Sequence, residues 1–160
     1  MTPFELQQQG IERACMGNAA AIEFVWRWAK YVHAIDDIED EPTTPEFRLG
    51  TFVQALEVYT CPFFKQHEAA LKPLVYLITN QYADSVAWEK SKEQWKREYS
   101  EWARHCGAEM VLAVAGIVGG YQHMRAISLE LRTVNYAEHF TETPSPARQP
   151  TKDTNENETK

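Results

Sequence analysis

Asp36, Asp37 and Asp40, with His33 one turn upstream, are the residues of this chain best suited to chemistry. Carboxylates three and four positions apart share one side of a helix. Counting back from Asp40 through Asp36 and Asp37, His33, Ala29 and Lys30, Trp26 and Ile22 carries the same face into largely apolar residues, which turns the acids toward the interior. They also stand at the negative end of the helix macrodipole, where each costs a few tenths to about 1 kcal/mol unless positive charge compensates. Mg²⁺, or Mn²⁺ in its place, compensates most simply: hard oxygen ligands at i and i+4 can share one or two such ions, whose other positions take water or phosphate oxygens. The competing reading is a solvated helix end, since Pro42 stops the helix whatever Asp36 does.

A second patch lies further on. Asn80 and Asp84, one turn apart between large apolar residues, either complete a metal site from a facing helix or bond only neighbouring side chains. Arg125 and Arg132, two turns apart, face an anionic ligand or pair with acids such as Glu130. In a metal-dependent site, Asp36, Asp37, Asp40, Asn80 and Asp84 would hold the ions. Arg125 or Lys30 would neutralise a phosphate leaving group, and His33 would orient a carboxylate or move a proton.

These residues need helices to position them, and helix signals recur along the chain. Thr2 with Pro3 opens a first helix that runs to about Met16, and Gly17 stops it. Asn18 caps the second, which has apolar residues on more than one side and so belongs at the centre. Thr44 and Pro45 start a third that ends near Thr60, with Phe47, Val53, Leu56 and Tyr59 available for packing. CPFF is a corner. A fourth helix runs from about Gln66 to beyond Trp88, with a kink expected at Pro73. From Glu89 to Arg104 the pattern is charged, and Trp95, Tyr99 and Trp102 form the buried stripe of a surface helix. Gly107 breaks it. A long helix then spans Glu109 to about Asn135; Gly116, Gly119 and Gly120 each weaken it by roughly 1 kcal/mol, which close helix approach or ligand access should offset.

The expected fold is therefore all-α: one bundle of about five to six helices over residues 1–140, with a disordered tail over 141–160, where Ala147 is the one hydrophobic residue past the early 140s. Net charge −7 argues against broad binding to nucleic acid or anionic membrane. Cys15, Cys61 and Cys106 lack the close spacing of a zinc or redox pair and read as reduced thiols of a cytoplasmic protein. The opening residues lack a signal-peptide pattern, and the longest apolar stretch, Met110 to Gly120, is too short to span a bilayer.

Two stretches suggest a family. HAIDDIEDE resembles the first aspartate-rich motif of class I isoprenoid synthases, and AVAGIVGGY resembles the V-A-G-x-V-G segment of their squalene and phytoene synthase branch. The resemblance implies an all-α fold in which Asp36, Asp37 and Asp40 hold Mg²⁺ against a substrate diphosphate, with Gly116 and Gly119 at a helix bend. Asn80 and Asp84 resemble two thirds of the N-x-x-x-S-x-x-x-E motif of terpene synthases, and Trp88 stands where that motif has glutamate. The whole chain is also similar to small helical proteins of tailed phages, which implies a host-cytoplasmic location. Two functions follow as expectations. One is a Mg²⁺-dependent enzyme acting on a small phosphorylated substrate, a diphosphate or phosphate ester. The other is a small helical interaction protein, a phage accessory factor in one version, whose acidic end binds a basic partner. The sequence leaves the oligomeric state open.

Overall fold

Side-chain caps set where the chain turns helical. In the computed structural model, which describes residues 3–136, the Asn18 side chain accepts from the Ala21 N–H and the Thr44 side chain from the Phe47 N–H, as those residue types do at an N-cap. The elements are α1 (Pro3–Ala14), α2 (Ala19–Asp40), α3 (Pro45–Thr60), α4 (Pro62–Gln66), α5 (Glu68–Trp88), α6 (Gln94–Ala103), a 3₁₀ turn (Arg104–Gly107) and α7 (Ala108–Tyr136). The fold is all-α, with no strand among the described residues. The domain boundary at 140 and the tail beyond it lie outside them. No helix among the described residues is long and apolar enough to cross a membrane.

α2 takes the central place its two-sided pattern predicts. It packs on α1, α3, α4 and α7, and Phe24, Val25 and Trp28 are buried there with Val58, Phe63, Phe64, Leu71, Met110 and Val114. Trp28 also donates its indole N–H to the Gly107 carbonyl at 3.0 Å, which satisfies the one polar atom its burial would otherwise strand. Cys15, Cys61 and Cys106 are free and buried, as expected of reduced thiols, and burial pushes the Cys15 and Cys106 thiols up to about 11.

Four local expectations need correction. The CPFF corner is itself a short helix, and the next one starts after His67, whose φ −114°, ψ 19° interrupts the run. Gly107 does not break the chain: α6 tightens into the 3₁₀ turn and passes directly into α7. The stripe on α6 is not buried. α6 leans on α5 through small residues, the Ser100 hydroxyl donating to the Ser85 carbonyl at 2.6 Å, so Ser100 and Ala103 go inside while Trp95 and Trp102 stay 56% and 53% exposed. Trp95 and Tyr99 pack edge-on to Trp88 instead, at 5.4 and 5.3 Å between centroids.

The fourth correction concerns α7, which folds back on itself. Gly120 takes φ 78°, ψ 177°, a backbone that a side chain disfavours. A straight helix would hold Glu109 and Arg132 more than about 30 Å apart. Here they form an ion pair at 2.7 Å, so the arms before and after Gly120 run antiparallel. Ile127 and Leu131 of the returning arm are buried with Leu112, Ala115 and Ala14. The neighbouring glycines make the approach possible: a Cβ on Gly116 would rest 3.5 Å from the Met124 sulfur, and one on Gly119 would collide with the His123 imidazole. That ring cannot swing freely away, because His123 Nε2 lies 3.0 Å from the Ala14 carbonyl.

Candidate functional site

The acids that end α2 meet a residue the sequence did not single out. Arg104, in the 3₁₀ turn, has a side chain only 19% exposed and points at the place where α2 and α5 both finish. Its Nη1 lies 3.3 Å from Asp36 Oδ1 and donates to the Tyr82 hydroxyl oxygen at 3.1 Å; its Nη2 lies 2.7 Å from Glu89 Oε2 and 3.6 Å from Asp40 Oδ1. Tyr82 in turn donates its hydroxyl to Asp36 Oδ1 at 2.8 Å, and the guanidinium lies over the Tyr82 ring, 5.3 Å from its centroid.

One cation therefore answers three carboxylates and the negative ends of two helices. Burial works against the charge on Arg104, but the Tyr82 hydroxyl and the Asp36 and Asp40 carboxylates outweigh it and hold the guanidinium pKa above its ordinary value. Burial, together with the bond to Asp36, also raises the Tyr82 phenol above its usual range, and Arg104 only partly offsets this.

The other residues expected at a site are not gathered here. His33, Lys30, Asp37 and Asp40 are exposed on α2, and Asp36 is half-buried. Asn80 and Asp84 are exposed on α5 and bond each other, Asn80 Nδ2 donating to Asp84 Oδ2 at 3.4 Å. Residues two apart on a helix point to different sides. Since Tyr82 is the α5 residue that reaches Asp36, both Asn80 and Asp84 are directed away from it. Arg125 is exposed just after the bend at Gly120, with the first arm of α7, about 18 Å of helix, between that bend and Arg104. Arg132 pairs with Glu109, and Glu130 with Arg13 at 2.5 Å. Among the described residues, no group of three or more His, Cys, Asp or Glu side chains is arranged to hold a metal ion.

The most unusual surface lies on α3. Leu49, Phe52, Val53 and Leu56, at helical steps of three, one and three, form a single stripe that is 65%, 72%, 55% and 63% exposed. The opposite face carries the polar groups inside: Thr51 is buried with its hydroxyl donating to the Phe47 carbonyl at 3.1 Å, and the buried Gln54 Oε1 has no hydrogen-bond partner. Only Val58 gives this helix a fully buried apolar anchor, so α3 is close to inside-out for a lone globular chain. The sequence offered Phe47, Val53, Leu56 and Tyr59 for packing; only Tyr59 packs against the core, while Val53 and Leu56 join Leu49 and Phe52 on the outer side, because α2 meets the face that carries Thr51 and Val58.

No protein-family model, curated protein or solved structure matches this chain, so the functional reading rests on its own side chains.

Proposed function

We propose that this protein is a small helical interaction module that docks a partner through the outer face of α3. The inverted α3 carries the reading: four adjacent large apolar side chains stand in water while Thr51 and Gln54 occupy the inner side. The largest contiguous apolar patch of a protein, on the order of 300–600 Å², is often a functional one. The capture of Asp36, Asp40 and Glu89 by Arg104 supports the same reading, since acids already paired within the chain need no ion from outside. Magnesium-dependent phosphate chemistry at Asp36, Asp37 and Asp40 would first have to detach Asp36 from both Tyr82 and Arg104.

The test is the binding of a fluorescent dye for apolar surface to dilute protein. Wild type should enhance the fluorescence. A Phe52→Ser, Leu56→Ser double variant should lose most of that enhancement while melting within a few degrees of wild type, as exposed positions allow. Unchanged dye binding, or a collapse of the melting temperature, would overturn the reading.

A further inference from the structure

The stripe on α3 has a property that bears on what covers it. About its midpoint, between Phe52 and Val53, it reads the same chemistry in both directions, with leucine at either end. A helix laid antiparallel across it about a two-fold axis therefore meets its own pattern: Leu49 against Leu56, Leu56 against Leu49, and Phe52 and Val53 each beside its own copy near the axis. Such self-complementarity is what an isologous interface requires. Opposed helix dipoles add a small favourable term.

Area supports the same occupant. With full side-chain areas on the order of 150–200 Å², exposures of 55–72% leave roughly 450 Å² of apolar surface on the stripe of one chain. Two copies, with the stems of Arg48 and Glu57 along the edges, bury on the order of 1,000 Å², the lower bound for a specific pair. A second copy also brings a second Gln54 no nearer, so the inner face stays as it is and the pairing asks for no refolding.

We infer that the partner of the α3 face is a second copy of this chain, α3 packed antiparallel on α3, in a weak dimer. This rests on the docking reading above. The charge balance gives the dimer a signature: each chain carries a net charge of −7, so the copies repel and added salt tightens the pair. Docking of a basic partner at the acidic end of α2 would instead weaken with salt.

The experiment combines sedimentation with cysteine cross-linking in the full chain, where the buried Cys15, Cys61 and Cys106 leave the wild type as its own blank. At about 100 μM, well above a dissociation constant in the micromolar range, wild type should sediment at close to twice 18.4 kDa, more so in high salt, and Phe52→Glu should be monomeric, with the melting temperature of wild type at concentrations too low for association. Val53→Cys should oxidise to a cross-linked dimer, and Leu49→Cys should cross-link to Leu56→Cys in a mixture but not to itself. A wild type that stays monomeric, a Val53→Cys protein that cross-links no faster than Glu98→Cys, or Leu49→Cys pairing with itself would overturn the inference. The dye experiment separates the two failures: a monomer whose dye binding still depends on Phe52 and Leu56 sinks the second copy and keeps the docking face, whereas a monomer without such binding sinks both.

Discussion

The end of α2 and the outer face of α3 are joined by only a short loop, yet they differ in where their partners lie. At the end of α2, carboxylates that ordinarily face water are drawn toward the half-buried Arg104. On α3, leucine, phenylalanine and valine that ordinarily go inside face water, and a glutamine oxygen goes inside. The difference shows where a partner is already supplied. Asp36, Asp40 and Glu89 have theirs within the chain, and the apolar stripe does not. The run of acids is the more conspicuous feature of the sequence, and Asp36 at its centre is the one tied most closely into the fold.

Removing the internal partner gives the largest expected effect. Arg104→Met should cost about 2 kcal/mol in urea denaturation, below the loss for a fully buried pair because Asp36 and Glu89 keep some solvent. A loss under about 0.5 kcal/mol would mean that the acids had been solvated all along. The next effect separates the faces of α3: Val58→Ala, fully buried, should cost roughly 2 kcal/mol, and Leu56→Ala less than about 0.5 kcal/mol at concentrations too low for association. Similar losses at both positions would erase the inside-out description.

A smaller effect tests the hydroxyl between Asp36 and Arg104. Tyr82→Phe removes two hydrogen bonds and should cost about 1 kcal/mol near neutral pH. It should also change the alkaline behaviour. The raised phenol pKa means that the folded state keeps a proton the unfolded chain releases near pH 10, so this group's stabilisation is complete below that pH and is lost as pH rises through the higher folded value. The variant should therefore lose stability less steeply than wild type above about pH 10 in paired urea titrations. Identical slopes would place the Tyr82 hydroxyl in water.

What the sequence made legible was local. Asn18, Thr44 and Pro45 mark helix starts by the atoms of one turn, and α2 announces its central place by having apolar residues on several sides. The three glycines of α7 signal a close approach, and Gly116 and Gly119 do border one. That Gly120 alone turns the chain back is set by contacts such as Glu109 with Arg132, which no window of a few turns contains. Arg104 was hidden for the same reason, since it lies 68 positions from Asp36 and in sequence is one of many cations. The aromatic stripe of α6 and the apolar stripe of α3 show a further limit. Periodicity identifies a face, but only the neighbouring helices decide whether that face is covered. For α6, the small residues Ser85, Ser100 and Ala103 won the contact.

The claim that the charge at the end of α2 is answered within the chain meets its most direct test in one melting experiment. Wild type is heated with millimolar Mg²⁺ and pyrophosphate and again with EDTA, because an ion bound only by the folded state must raise the melting temperature by mass action. With Arg104 holding Asp36 and Asp40, the two curves should coincide. A metal-dependent rise of several degrees that disappears in Asp36→Asn would contradict the account and return the aspartates to the centre of the function.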